Sequence, residues 1–364
     1  MYVQDVMDIL DEFAPLSYAE GFDNTGLLVG DAHQKVTGIL VTLDTLEEVV
    51  DEAIAKNCNL IVSFHPIIFS GLKSITGKTY VERVVLKAIR NNISIYAIHT
   101  ALDNNWQGVN HGILNRLGLK KIKTLIPQKE TIEKLVAFVP KEHADKVREA
   151  MFAAGAGNIG NYSNCSFNLE GVGTFMPGED SNPTSGTIGQ LHQGEEVQIS
   201  VTYGKHLRNK VLNAMITAHP YEEVAHEITV LENTNQHLGM GMLGEWKDPM
   251  PEKEFLSYVK DKMQTDCIRH SKLLGTPIQR VAVLGGSGSF AINAAKRAGA
   301  QAFITADLKY HDFYSADNQI LLADIGHYES EQFTKELLVS LLSKKISNFA
   351  IVLSHVNTNP ITYF

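Results

Sequence analysis

Short apolar runs that stop at a polar residue and hand over to an amphipathic helical pattern recur through the outer parts of this chain. Gly38–Leu43 ends at Asp44, and Thr45 to Glu48 reads as a capping box opening a helix to about Lys56. Leu60–Phe64 ends at His65-Pro66, a helical pattern covers Tyr80–Arg90, and Ile93–Ile98 ends at His99-Thr100. Such β-α-β-α-β alternation demands a parallel sheet covered by its crossover helices. It resumes late in the chain. Arg280–Leu284 is followed by the turn Gly285–Ser289 and a helix from Phe290 to Ala298. Strands Ala302–Thr305 and Ile320–Ala323, a helix opening at His327, and a last strand, Ala350–Leu353, complete the series.

Between these α/β halves the pattern changes. Lys134–Pro140 reads as a strand and His143–Ala154 as a helix; after a Gly- and Asn-rich stretch come alternating strands separated by turn residues, Gln198–Tyr203 among them, then a helix over Arg208–Ala218 and a strand over Ala225–Leu231. The β-α-β-β-α-β order predicts an inserted ferredoxin-like α+β module over 127–232. Residues 1–126 and 233–364 then form one outer α/β domain of two halves with mainly parallel sheets, and Asn233–Gln236 reads as a polar linker.

Composition narrows the function classes. A chain of 364 residues supports this many elements around a substantial core. A formal charge of -9 provides no general attraction for nucleic acid. No apolar run reaches membrane-spanning length, and the chain opens on an amphipathic helix (Val3, Val6, Met7, Leu10, Phe13) instead of a signal peptide. The cysteines, Cys58, Cys165 and Cys267, are odd in number and widely spaced, which fits buried thiols in a reducing compartment. A cytoplasmic protein is expected.

The carboxyl ends of parallel strands are where such sheets bind ligands, and here they carry Asp44, His65, His99 with Asp103, the glycine turn, Asp307, and Asp324 through Glu331. His327 and Glu331 lie four apart at a helix start and share a face. Imidazole and carboxylate donors gathered this way suit one or two divalent ions, with zinc, iron, manganese and nickel all compatible. His65 is read as a ligand against the alternative that it only ends a strand. Asp103 is read as a ligand against a helix cap, and His99 as a group orienting Asp103 or relaying protons. Asp307 and His311 are candidates for substrate contact or proton transfer. The turn Gly285, Gly286 and Gly288 invites phosphate contact, although it lacks the Lys of a P-loop and the full dinucleotide fingerprint. His219–Glu223 reads as a loop or interface feature of the insert.

These residues resemble a family. Phe22–Gly30, Ser63–Phe69, His99–Asp103, Asp307–His311 and Asp324–Glu331 are similar, in order, to the signatures of the NGG-one-interacting-factor-three-like group, whose bacterial members are labelled GTP cyclohydrolase 1 type 2 homologue. Gly173–Gly178 and His219–Glu223 resemble the extra module of its longer members, which is similar to PII and CutA-type trimeric proteins. The resemblance implies a dinuclear metal site with ligands His65, Asp103, His327 and Glu331, a toroidal homohexamer, and hydrolysis of a nucleotide-like substrate in which Glu331 or His99 relays protons. It equally admits a non-enzymatic metal-binding ring that binds a partner or effector. Many relatives read His-His-Pro where this chain has Phe64-His65-Pro66, so one imidazole is missing.

Overall fold

The structure, a computed structural model, describes residues 1–364 apart from the side chain of Lys121. It is a mixed α/β fold with three sheets in two compact units. One unit comprises Met1–Pro127 and Gln236–Phe364; the other is Gln128–Asn235.

In the first unit, one sheet has the strand order Gly26–Val29, Ser94–Ala97, Leu60–Ser63, Ile39–Thr42, Ile351–Leu353. The last four are parallel, and Gly26–Val29 runs antiparallel at the edge. Every residue of the three central strands is buried, because successive side chains enter different cores. Leu40, Ile61 and Ile95 face Val49, Val50, Val84 and Val85 of the helices Glu47–Ala55 and Tyr80–Arg90. Ile39, Val41, Leu60, Val62 and Tyr96 face the opposite core, which they share with Val3, Val6 and Leu10 of helix Val3–Phe13.

The second sheet of this unit has the order Arg269–His270, Leu321–Asp324, Ala302–Ala306, Ile278–Ser287, Asn235–Met250, Lys120–Gln128. Val281, Val283, Ile304, Leu321 and Ala323 join the same central core, so the two sheets close around shared apolar contents. Three features correct the sequence reading. The sheet is mixed, not mainly parallel, because Asn235–Met250 and Arg269–His270 pair antiparallel with their neighbours. Antiparallel neighbours need no crossover helix and leave no β-α alternation to read. The last strand lies beside Ile39–Thr42 in the first sheet, which ties the chain's end to its beginning. Finally, Gly285 and Gly286 are not a turn: the strand runs through them to Ser287.

The second unit is a four-stranded antiparallel sheet in the order Phe167–Phe175, His192–Gly204, Ile132–Pro140, His226–Leu231. Helices Ala144–Ala153 and Arg208–Ala218 pack Val147, Met151, Val211 and Met215 against Leu135, Ala137, Ile199 and Val201, and so cover one face. Among the described residues no helix is long and apolar enough to cross a membrane. Of the cysteines only Cys58 is buried; Cys267 is exposed, contrary to the expected buried thiol.

Candidate metal centre

The strand Leu60–Ser63 delivers His65 to the carboxyl edge of the first sheet. The ladder continues beyond its last residue, with His65 N donating to Leu43 O at 2.9 Å, while Ser63 Oγ donates to His65 O at 2.7 Å. From the second sheet, Leu321–Asp324 leads through Ile325 to Gly326, whose φ of +94° admits the sharp entry into the short helix His327–Glu331. One helical turn places His327 and Glu331 together, and the shared core brings His65 to them.

Three donor atoms converge. His65 Nε2 lies 3.0 Å from Glu331 Oε2, His327 Nε2 lies 3.2 Å from the same oxygen, and the two Nε2 atoms are 3.5 Å apart. An ion bonded at about 2.0–2.2 Å to each donor would set neighbouring ligands roughly 3.0–3.5 Å apart in tetrahedral or octahedral coordination. The triangle has those edges. Glu331 Oε2 is buried and, despite its short approaches to both rings, makes no hydrogen bond of proper geometry. Asp103 Oδ1 is the second buried oxygen here without a partner. Orphaned carboxylate oxygens beside two imidazoles are costly in a protein interior, and a cation relieves that cost. The residues therefore fit a divalent ion, and among the described residues only His65, His327 and Glu331 form such a three-donor group.

The far side of each ring is held as metal-binding histidines require. His65 Nδ1 meets Asp44 Oδ1 at 2.7 Å and His327 Nδ1 meets Asp307 Oδ2 at 2.7 Å. A carboxylate at Nδ1 keeps the proton there and leaves the Nε2 lone pair for a ligand. His99 repeats the arrangement, with Nδ1 at 2.8 Å from Asp23 Oδ1. Its ring centroid is 5.3 Å from that of His65. The backbone is strained at two of these positions, His99 with φ +31° and Asp307 with φ +57°, as is common where geometry serves function.

The metal-free electrostatics express the same crowding. Burial disfavours a charged His65, but Asp44 and Glu331 outweigh it and push the ring up to about 10. His327, between Asp307 and Glu331, goes against its burial up to about 11. Burial opposes ionisation of Glu331 as well, yet the two histidines hold it down to about 2. Asp103 is pushed up by burial and then by the Glu331 charge, which His65 and His327 only partly offset. Protons on the rings do here what a cation would do better.

The remaining expected residues are placed as follows. Asp103 lies within helix His99–Asn104, so it caps no following helix. Its carbonyl accepts from Asn110 Nδ2 at 3.2 Å, and Asn110 Oδ1 accepts from Gly285 N at 3.0 Å. The amide of Gly286 donates to Ser330 Oγ at 2.9 Å. Both amides are thus engaged within the protein, and these glycines make room: a methyl at Gly286 would stand 2.4 Å from Glu331 Oε1. Gly288 packs against Thr305, where a methyl would meet Oγ1 at 2.1 Å. His311 is exposed beside Tyr310 and Tyr314 and is not among the converging donors. Phe64 is fully buried, its ring 4.9 Å from His65 and 5.6 Å from His99. Asp23, Asn110 and Ser330 are site residues that sequence reasoning passed over; Asp23 lay inside a recognised signature but read as a turn residue.

A cleft of about 360 Å³ opens on the donors, lined by Asp44, His65, Phe69, His99, His327 and Tyr328. That is small-molecule size.

Known proteins bear on this arrangement. The family described as Duf34/NIF3 (NGG1p interacting factor 3) matches residues 1–360. A Bacillus subtilis protein called GTP cyclohydrolase 1 type 2 homolog is 38% identical, over 99% of this chain and 98% of its own length. A Halalkalibacterium halodurans protein of the same name is 40% identical over the same shares. The crystal structure of a Bacillus cereus protein related to NIF3 matches 100% of this chain and 99% of its own, with a TM-score of 0.87 at 36% identity.

Proposed function

The chain belongs to the Duf34/NIF3 family, and from that premise we propose that it is a metal-dependent hydrolase acting on a nucleotide-like substrate. The observation that carries this reading is the donor triangle of His65, His327 and Glu331, assembled from both halves of the outer domain beside an open cleft. These three residues would hold one ion; Asp103, whose oxygens lie outside the converging group, would join as a fourth donor by moving its unpartnered Oδ1 toward it. A bound divalent ion supplies Lewis acidity and lets water ionise near neutral pH.

The chain's own groups do the rest. Asp44 and Asp307 fix the ring orientation of the two histidine ligands. His99, oriented by Asp23 and close to His65, carries a proton between substrate and solvent at Nε2. Phe69 and Tyr328 form cleft walls suited to a flat heterocycle. The relatives' name points to GTP; the electrophile would then be the imidazole-ring carbon of the purine, released as formate. With the amides of Gly285 and Gly286 engaged, phosphate recognition through that segment is left to Gly288, and His311 would contribute only at its edge. Zinc, iron, manganese and nickel all suit the donors. We extend the reading to a homohexamer in the cytoplasm, with 1–126 and 233–364 as the metal-binding domain and 127–232 as a PII/CutA-like module.

Phe64 favours a second reading. It packs in the core against both His65 and His99 without offering a donor, which suits a ring scaffold whose single ion is structural. The two part on one experiment: metal-loaded protein is incubated with nucleotides, and formate and phosphate are measured. The hydrolase reading expects turnover that falls at least about 100-fold in His99→Ala at unchanged metal content. Absence of turnover with full metal occupancy would overturn it.

A further inference from the structure

The second unit holds a recess of its own, of about 320 Å³. It is built from four segments: Phe138 of strand Ile132–Pro140, the end of strand Phe167–Phe175 with the loop that follows, Glu196 of strand His192–Gly204, and the turn after helix Arg208–Ala218. The turn is locked by His219. Its Nε2 donates to Phe138 O at 3.0 Å, and its Nδ1 accepts from Tyr221 N at 3.1 Å. Both ring nitrogens are therefore committed, and burial holds the ring below the ordinary imidazole range. His219 is a neutral clip and not a ligand. The loop is stitched to the same turn through Asn182 N to Glu222 Oε1 at 2.8 Å and Thr184 Oγ1 to Pro220 O at 2.7 Å.

The clip aims Tyr221 into the recess. Its hydroxyl donates to Glu196 Oε1 at 3.0 Å, and its ring meets Phe175 in a tilted edge contact with centroids 5.8 Å apart. Glu196 owes its position to a glycine across the strand: a methyl at Gly173 would stand 2.2 Å from Oε2. The result is a half-buried carboxylate with aromatic rings on its flank. Glu222 and Glu223 add negative charge at the rim, and no Lys or Arg lines the recess.

We infer that this recess binds a small organic cation, a primary amine or guanidine whose apolar body lies against Phe138, Phe175 and Pro177. An ammonium group would donate to Glu196 and lie near the faces of Phe175 and Tyr221, where charge-assisted hydrogen bonding and cation–π attraction act together. A bare metal ion is the poorer occupant. The described acids of this unit do not bring three donor atoms within bonding reach of one point, as His65, His327 and Glu331 do. An organic cation needs only one carboxylate and a ring.

The test is calorimetric titration of the full chain with 2-phenylethylamine and its neutral isostere 2-phenylethanol. Saturable amine binding at one site is expected, with the alcohol weaker by about tenfold or more, the worth of one charge-assisted hydrogen bond. Glu196→Gln keeps an acceptor for Tyr221 and should erase the preference for the amine while leaving metal content unchanged. Should that variant fail to fold, Gly173→Ala addresses the same carboxylate by displacing it. Failure of the wild type to bind the amine, equal binding of amine and alcohol, or an amine preference that survives in the variant would each overturn the inference.

Discussion

Replacing Asp44 by Asn tests whether the carboxylates behind the histidines set their readiness to bind a metal. Asp44 Oδ1 accepts from His65 Nδ1 at 2.7 Å, and its Oδ2 accepts from Thr358 Oγ1 at 2.7 Å. Asn keeps the shape but has one acceptor for these two donors. If its oxygen stays with Thr358, its amide faces Nδ1 and forces the ring proton onto Nε2, the atom that must coordinate. Losing such an orienting partner costs about 10–100-fold in metal affinity, or roughly 1.4–2.7 kcal/mol. The Asp44 side chain is 32% exposed, so water takes up part of the loss and the lower end, about tenfold, is expected. Competition with a chromophoric chelator at neutral pH measures it, with circular dichroism confirming the fold. An unchanged affinity would refute the orienting role, because Asp44 makes no other contact with the donor set.

Other outcomes follow from the same geometry. In metal-free protein His65 and His327 keep their protons up to about 10 and 11, so metal uptake at neutral pH should release about two protons per ion. Affinity then climbs with pH until those values are passed, and calorimetry in buffers of different ionisation enthalpy counts the protons. Gly286→Ala places a methyl 2.4 Å from Glu331 Oε1 at a φ of +69°; it should destabilise the protein by about 1–3 kcal/mol and lower metal content, read from Tm and elemental analysis. Asp103→Asn should move two readouts in opposite directions. The folded pKa of Asp103 stands above its unfolded value, so this group's contribution to metal-free stability is full below the unfolded value and is lost as pH rises from there through the folded one. Removing it should raise the metal-free Tm at neutral pH while weakening metal binding.

The first sheet was legible because its signals are local. Leu60–Phe64 and Ile93–Ile98 are apolar apart from Ser63 and Ser94, since both sheet faces are buried, and the helix Tyr80–Arg90 shows its buried stripe of Val84, Val85 and Ala88. Boundaries were less so: the helix after Asp44 starts at Glu47, and Thr45 does not cap it. What stayed hidden was non-local. Asn235–Met250 carries glycines and opens on Asn235 and Gln236, which read as the end of a polar linker, so no strand was expected there, and nothing local to Ile351–Leu353 says which sheet edge it joins. At the site, His327 and Glu331 announced themselves by their helical spacing. The carboxylates behind the rings could not, since Asp23 reaches His99 and Asp307 reaches His327 only through the fold. The glycines at 285 and 286 read as a tight turn with phosphate contact as a bonus, because a sequence does not distinguish glycines that turn the chain from glycines that make room for Glu331.

The most direct measurement is the metal content of the 364-residue chain purified without added ions, alongside its His327→Ala variant. One equivalent of a divalent metal per chain, lost in the variant while the fold persists, is the predicted result. A wild-type protein that takes up no metal when offered it, or a variant that keeps its full equivalent, would contradict a centre built on His65, His327 and Glu331.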